Sequence, residues 1–148
     1  MKRHFGLVAV LVLTFTGAVR GADAPDDAVL KALQGTWTVV SLERNGKAAA
    51  PERIEGRELV FEGRTFIDQQ GDKILGEGSI TLDPSKKPGT MDARFTEGPV
   101  KGQSSLAIYE LNGDTLRTCS AAPGKERPTE FLTRPDSGAM MFVYQRAK

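Results

Sequence analysis

The residues best placed for binding chemistry stand near the C-terminal end. Tyr144 and Arg146 are two residues apart in a stretch rich in large apolar side chains, so in a strand they project from the same face. A guanidinium beside a phenol can hydrogen-bond a carboxylate. Phe142 shares that face with them and offers a ring against which the body of such a ligand could lie.

Other chemistry is largely excluded by what the sequence omits. The single histidine, His4, falls in an N-terminal segment read below as removed, and one cysteine, Cys119, is present. Without imidazole there is no histidine general base, no His-bearing triad and no histidine metal ligand. Cys119 has no partner for an intramolecular disulfide; a small half-buried strand residue is the favoured reading and an intermolecular bridge the alternative. As a nucleophile it would lack its usual activating base. The acids Glu58, Glu62, Glu77, Asp92 and Glu97 raise the idea of a carboxylate pair or a calcium site, yet they lack metal-loop spacing, and outward strand positions account for most of them. The chain therefore reads as a non-enzyme with no metal and no cofactor.

The first 21 residues carry Lys2, Arg3 and His4 ahead of the apolar run from Phe5 to Leu13. That run is too short to span a bilayer, which needs about 20 apolar residues, but it suits a signal-peptide core. The expected product is exported, periplasmic or extracellular, without a membrane span, after cleavage following Gly21 or as late as Ala24. Removal of residues 1–21 leaves 17 basic and 19 acidic residues, a formal charge of −2. Such a balance does not favour nucleic acid or an anionic membrane surface.

The remainder, residues 25–148, has room for one domain with a real core. Residues 25–35 read as a short helix, with acids in its first turn and Gly35 at its end. Strands are expected at residues 36–43, 57–61, 65–69, 73–82, 90–95, 104–111, 115–120, 129–133 and 140–146, separated by turn signals of which Asn45-Gly46 is the sharpest. Alternation gives each strand a dry and a wet side: Leu59 with Phe61; Ile74, Gly76, Gly78, Ile80 and Leu82; Met91, Ala93 and Phe95; Met140, Phe142 and Tyr144. Gly76 and Gly78 would let a sheet bend at a barrel corner. The fold class is all-β: a single antiparallel up-and-down β-barrel of about eight or nine strands, with a short N-terminal helix after the signal peptide.

Gly35-Thr36-Trp37, where the helix runs into the first strand, resembles the Gly-x-Trp signature that opens the barrel in lipocalins. Together with Leu82-Asp83-Pro84-Ser85-Lys86-Lys87-Pro88, residues 108–116 and residues 123–131, it is similar to an uncharacterised lipocalin-like domain family found largely in planctomycete bacteria. The similarity runs over about residues 29–146. It implies a lipocalin-like barrel in an exported or multidomain bacterial setting and supplies no catalytic residues. It also implies a second use for Arg146, because in lipocalins a terminal basic residue packs on that tryptophan, and Gly35, Trp37 and Arg146 become a structural signature. Closure of the barrel over Trp37 is the stronger of the two readings of Arg146.

Two functions compete. A barrel of this size can enclose one small hydrophobic molecule; alternatively Phe61, Phe66, Phe95, Phe131, Phe142, Met91 and Met140 fill the interior, and the domain serves as a protein–protein interaction module toward another envelope protein. For the second, the mixed-charge loop at residues 125–130 is the best exposed candidate, if it lies at a barrel mouth.

Overall fold

The computed structural model describes residues 25–148, and the stretch read from the sequence as a signal peptide lies outside the described residues. Helix α1 (Pro25–Leu33) has Asp26 and Asp27 in its first turn and Lys31 in its last, charges of the sign that the helix dipole favours at each end. It stops at Gly35, whose φ of 107° is a conformation that favours glycine. Its Leu33 is fully buried and Val29 and Leu30 pack against the core, a contribution of roughly 1.5–3 kcal/mol for the leucine alone.

From Gly35 the chain runs almost entirely in strands: β1 (Gly35–Arg44), β2 (Lys47–Ala48), β3 (Arg57–Glu62), β4 (Thr65–Gln70), β5 (Lys73–Asp83), β6 (Gly89–Glu97), β7 (Ser104–Asn112), β8 (Thr115–Ser120) and β9 (Met140–Arg146). Asn45 and Gly46, with φ of 53° and 76°, form the tight reversal between β1 and β2. A 3-10 turn at Pro51–Arg53 then leads into β3. All pairings are antiparallel in the order β1-β3-β4-β5-β6-β7-β8-β9, and β9 returns to β1 to close an eight-stranded barrel with β2 as an added strand on β1. Closure leaves the barrel strands no open edge.

Three β-bulges shape the wall. The first lies in β1 between Val39 and Ser41 and turns Val40 outward. Another, at Asp68/Gln69, sets Asp68 opposite Gly76 and Gln69 opposite Ile74. The extra residue is Leu75, so Ile74 is thrown to the outside, 46% exposed, instead of joining Gly76, Gly78, Ile80 and Leu82 on the buried face. The third, at Glu77/Gly78, lies where Gly78 lets β6 come close: a Cβ on Gly78 would be driven into the Arg94 carbonyl and would meet the Phe66 ring at 2.9 Å.

The strand expected at residues 129–133 does not form. Residues 121–139 instead run without strand pairing along the outside of the barrel, and Pro123, Pro128 and Pro135 explain why, since each removes a ladder donor. This strap is fastened by Ser105 Oγ donating to the Ala121 carbonyl at 2.7 Å, by Arg127 Nη1 donating to Asp92 and to the Ala107 carbonyl, and by Thr133 donating to Glu43. Phe131 accordingly sits outside the barrel, with the Arg117 guanidinium 3.9 Å from its ring centre. Cys119 is fully buried, its thiol 3.7 Å from the Leu132 carbonyl, so in the folded chain it is not placed for an intermolecular bridge.

Candidate functional site

The two ends of the barrel are built differently. At one end α1 and the first residues of β1 form a floor, where Trp37 is fully buried and donates from its indole nitrogen to the Leu33 carbonyl at 2.8 Å. Trp37 pairs with Leu59 on β3 and with Arg146 on β9. The Arg146 guanidinium lies 4.3 Å from the indole centre and donates to the carbonyls of Gln34 and Ala32 and to the Asp114 carboxylate. Gln34 binds the β3–β4 turn in both senses, accepting from the Gly63 amide and donating to its carbonyl.

Above this floor the barrel is not filled. A cavity of about 120 Å³ remains, walled by apolar side chains including Leu59, Phe61, Ile80, Met91 and Phe142. A cavity of about 150 Å³ is known to take a benzene ring, so the space suits a small ring or a few carbons and is much too small for a long acyl chain. Polar groups enter it as well, chiefly Arg57, Asp68, Thr118 and Tyr144.

Arg57 and Asp68 form the central polar feature. Register sets Leu59 opposite Asp68, so Arg57 and Asp68 are diagonal neighbours on the inner face. Arg57 Nε donates to Asp68 Oδ1 at 2.9 Å and Nη2 to Oδ2 at 2.6 Å, a bidentate fork. Burial alone would lower the Arg57 pKa, but the hydrogen bonds and charge of Asp68 outweigh it and the pKa is raised. The guanidinium also lies 4.9 Å from the Phe142 ring centre, and Phe142 stacks on Tyr144 at 5.4 Å with planes 13° apart. Burial first, and the charge of Asp68 second, push the Tyr144 phenol well above the usual range. The side chains of Arg57 and Asp68 keep 14% and 25% exposure, so the pair stands toward the mouth, within reach of solvent.

Of the residues singled out from the sequence, Phe142 and Tyr144 line the cavity. Arg146 shares their strand face but is spent on the floor, so the arginine beside Tyr144 is Arg57 and the Tyr144–Arg146 carboxylate clamp is not assembled. Gly35, Trp37 and Arg146 come together at the closed end, with Arg146 Nη1 3.9 Å from where a Cβ on Gly35 would stand. The loop at residues 125–130 belongs to the outer strap, pinned by Arg127. Arg57 and Asp68 were missed, although the two-residue period sets Arg57 on a face with Leu59 and Phe61, and Asp68 with Phe66. Among the described residues no group of three or more His, Cys, Asp or Glu side chains could hold a metal ion, and burial raises the Cys119 thiol pKa.

The fold and cavity together define a closed antiparallel β-barrel with a small, partly polar interior, compatible with a lipocalin-like fold. No family model matches the chain, and no curated protein and no solved structure is detectably similar to it.

Proposed function

We propose that this chain is an exported carrier that holds one small, mostly apolar molecule inside its barrel, with a hydrogen-bonding end of that molecule directed at Arg57 and Tyr144. The observation that carries this reading is the cavity of about 120 Å³ left between apolar walls and a bidentate ion pair. A domain used only for its outer surface has no need of an arginine and a carboxylate inside its barrel, where each costs desolvation. Guanidinium donors not used by Asp68 remain to receive a carbonyl, hydroxyl or carboxylate oxygen. A carrier is favoured over an enzyme because the chain after residue 21 has no histidine and its one thiol is buried. The Gly35-Thr36-Trp37 floor of the barrel is compatible with the lipocalin-like resemblance read from the sequence.

Native mass spectrometry of the protein purified from its own host tests the carrier reading. A single bound species of low mass, released on denaturation, is expected; a spectrum of empty chain alone in gently prepared samples contradicts it. N-terminal sequencing of the same material tests export, with a start near Ala22 or Pro25 expected and an intact Met1 contradicting it.

A further inference from the structure

Beside the cavity mouth runs a groove bounded by the β1–β2 hairpin and the 3-10 turn on one side and by Leu75 and Pro99 on the other. It adjoins the cavity, since Arg57 and Met140 line both. Its charge is one-sided: Arg44, Lys47, Arg53 and Arg57 line it, and no Asp or Glu does. Two other surface grooves are mixed, and a third carries Lys125 as its one charge. That beneath Pro128 sets Lys86, Lys87 and Arg127 against Asp83 and Asp92, and that along the strap sets Lys125, Arg127 and Arg134 against Glu126, Glu130 and Asp136.

The cations of the mouth groove are also unspent. Arg57 is neutralised by Asp68, but Arg44, Lys47 and Arg53 make no ion pair and no side-chain hydrogen bond among the described residues. Elsewhere on the surface most arginines are paired, Arg64 with Asp26, Arg117 with Glu110, Arg127 with Asp92 and Arg146 with Asp114, and Arg94 stands singly on β6. Three unpaired cations in a concave site on a chain of nearly balanced charge attract an anion. An apolar cavity adjoining that site supplies the other half of a ligand.

From this juxtaposition, and resting on the carrier reading above, we infer that the ligand is a small amphipathic organic anion. Its apolar body, a ring or a few carbons, occupies the barrel, and its acidic group lies in the mouth groove over Arg44, Lys47 and Arg53. Asp68 disfavours placing the full negative charge deeper, because its own carboxylate already neutralises Arg57 and would repel a second anion there.

The test compares 3-phenylpropionate with its uncharged amide, 3-phenylpropanamide, by isothermal titration calorimetry at low ionic strength. The acid should bind about tenfold tighter, and the advantage should shrink several-fold in 0.5 M salt, as partly exposed charges are screened on the scale of about 10 Å or less. Lys47→Gln with Arg53→Gln, both exposed positions outside the core, should cut the advantage to about twofold or less, mainly by weakening the acid. Lys86→Gln with Lys87→Gln, which removes the same charge from a different groove, should preserve it. Equal binding of acid and amide, or an advantage untouched by Lys47→Gln with Arg53→Gln, overturns the anion inference and leaves the cavity reading standing. An advantage lost equally in both double variants overturns it too, by assigning the effect to net charge. Failure of both compounds to bind overturns the cavity reading itself and this inference with it.

Discussion

Arg57 and Asp68, on adjacent strands, meet across the inner face of the barrel in a two-point contact of 2.9 and 2.6 Å, roofed by the Phe142 ring. Such a pair is weak evidence for stability by itself, since desolvation offsets its attraction, but breaking it strands a charge. Arg57→Leu should therefore destabilise the protein by about 1–3 kcal/mol, less than a fully buried pair would lose because water reaches the mouth. Adding Asp68→Leu should restore much of that loss. Denaturant titrations of the two single variants and the double variant give the coupling; additive losses would contradict it.

Arg146→Ala should cost about 1–2 kcal/mol, since the guanidinium serves the Trp37 ring, two carbonyls at the end of α1 and Asp114 at once. Affinity for a cavity ligand should be unchanged. Chemical denaturation with and without ligand separates the effects, and weakened binding with unaltered stability would return Arg146 to a ligand role.

Tyr144 gives the protein an alkaline weakness. Its phenol is held neutral in the folded state by burial and by Asp68, whereas in the unfolded chain it ionises near its ordinary value of about 10. Above that pH the unfolded state binds fewer protons than the folded state, so stability falls as pH rises, by up to about 1.4 kcal/mol per unit for this one group. Tyr144→Phe keeps the ring that stacks on Phe142, so stability at neutral pH should change by no more than about 1 kcal/mol. Its decline between about pH 10 and 11.5 should be shallower than that of the wild type. Parallel curves for the two proteins would contradict this.

Gly78→Ala should destabilise the barrel by more than about 2 kcal/mol, because the added methyl collides with the Arg94 backbone and the Phe66 ring. Gly76→Ala should cost less, since its methyl would meet the edge of Phe95 at 3.4 Å, a side chain that can yield, and the Glu97 carbonyl at an ordinary contact distance of 3.8 Å. Thermal unfolding of the two variants ranks them, and a reversed order would show that the β5–β6 approach is looser than described.

The barrel was legible because its strands follow the two-residue period so faithfully: β8 and β9 have the limits read from the sequence, Thr115–Ser120 and Met140–Arg146. What escaped were features set by tertiary contact. Thr129 to Thr133 has strand-like composition, but the flanking prolines and the pinning of Arg127 to Asp92 hold it as a strap. Ile74 alternates correctly with Gly76, but the bulge at Leu75 reverses the face, and no local signal marks a bulge there. The meeting of Trp37 and Arg146 was anticipated from the resemblance to lipocalins and by barrel closure, whereas Arg57 escaped because a charged residue at a strand start reads as solvated. Its phase with Leu59 and Phe61 was the available clue.

The central claim, that the barrel interior receives a small molecule, is tested most directly by methyl-resolved NMR of the protein titrated with benzyl alcohol, a neutral probe of cavity size. The account predicts saturable shifts at the cavity methyls of Ile80, Met91 and Ala107 with one equivalent bound, while the exposed methyls of Val40 and Leu132 stay in place. Shifts confined to Val40, Leu132 and other surface methyls, with the cavity methyls unmoved at saturating probe, would contradict it.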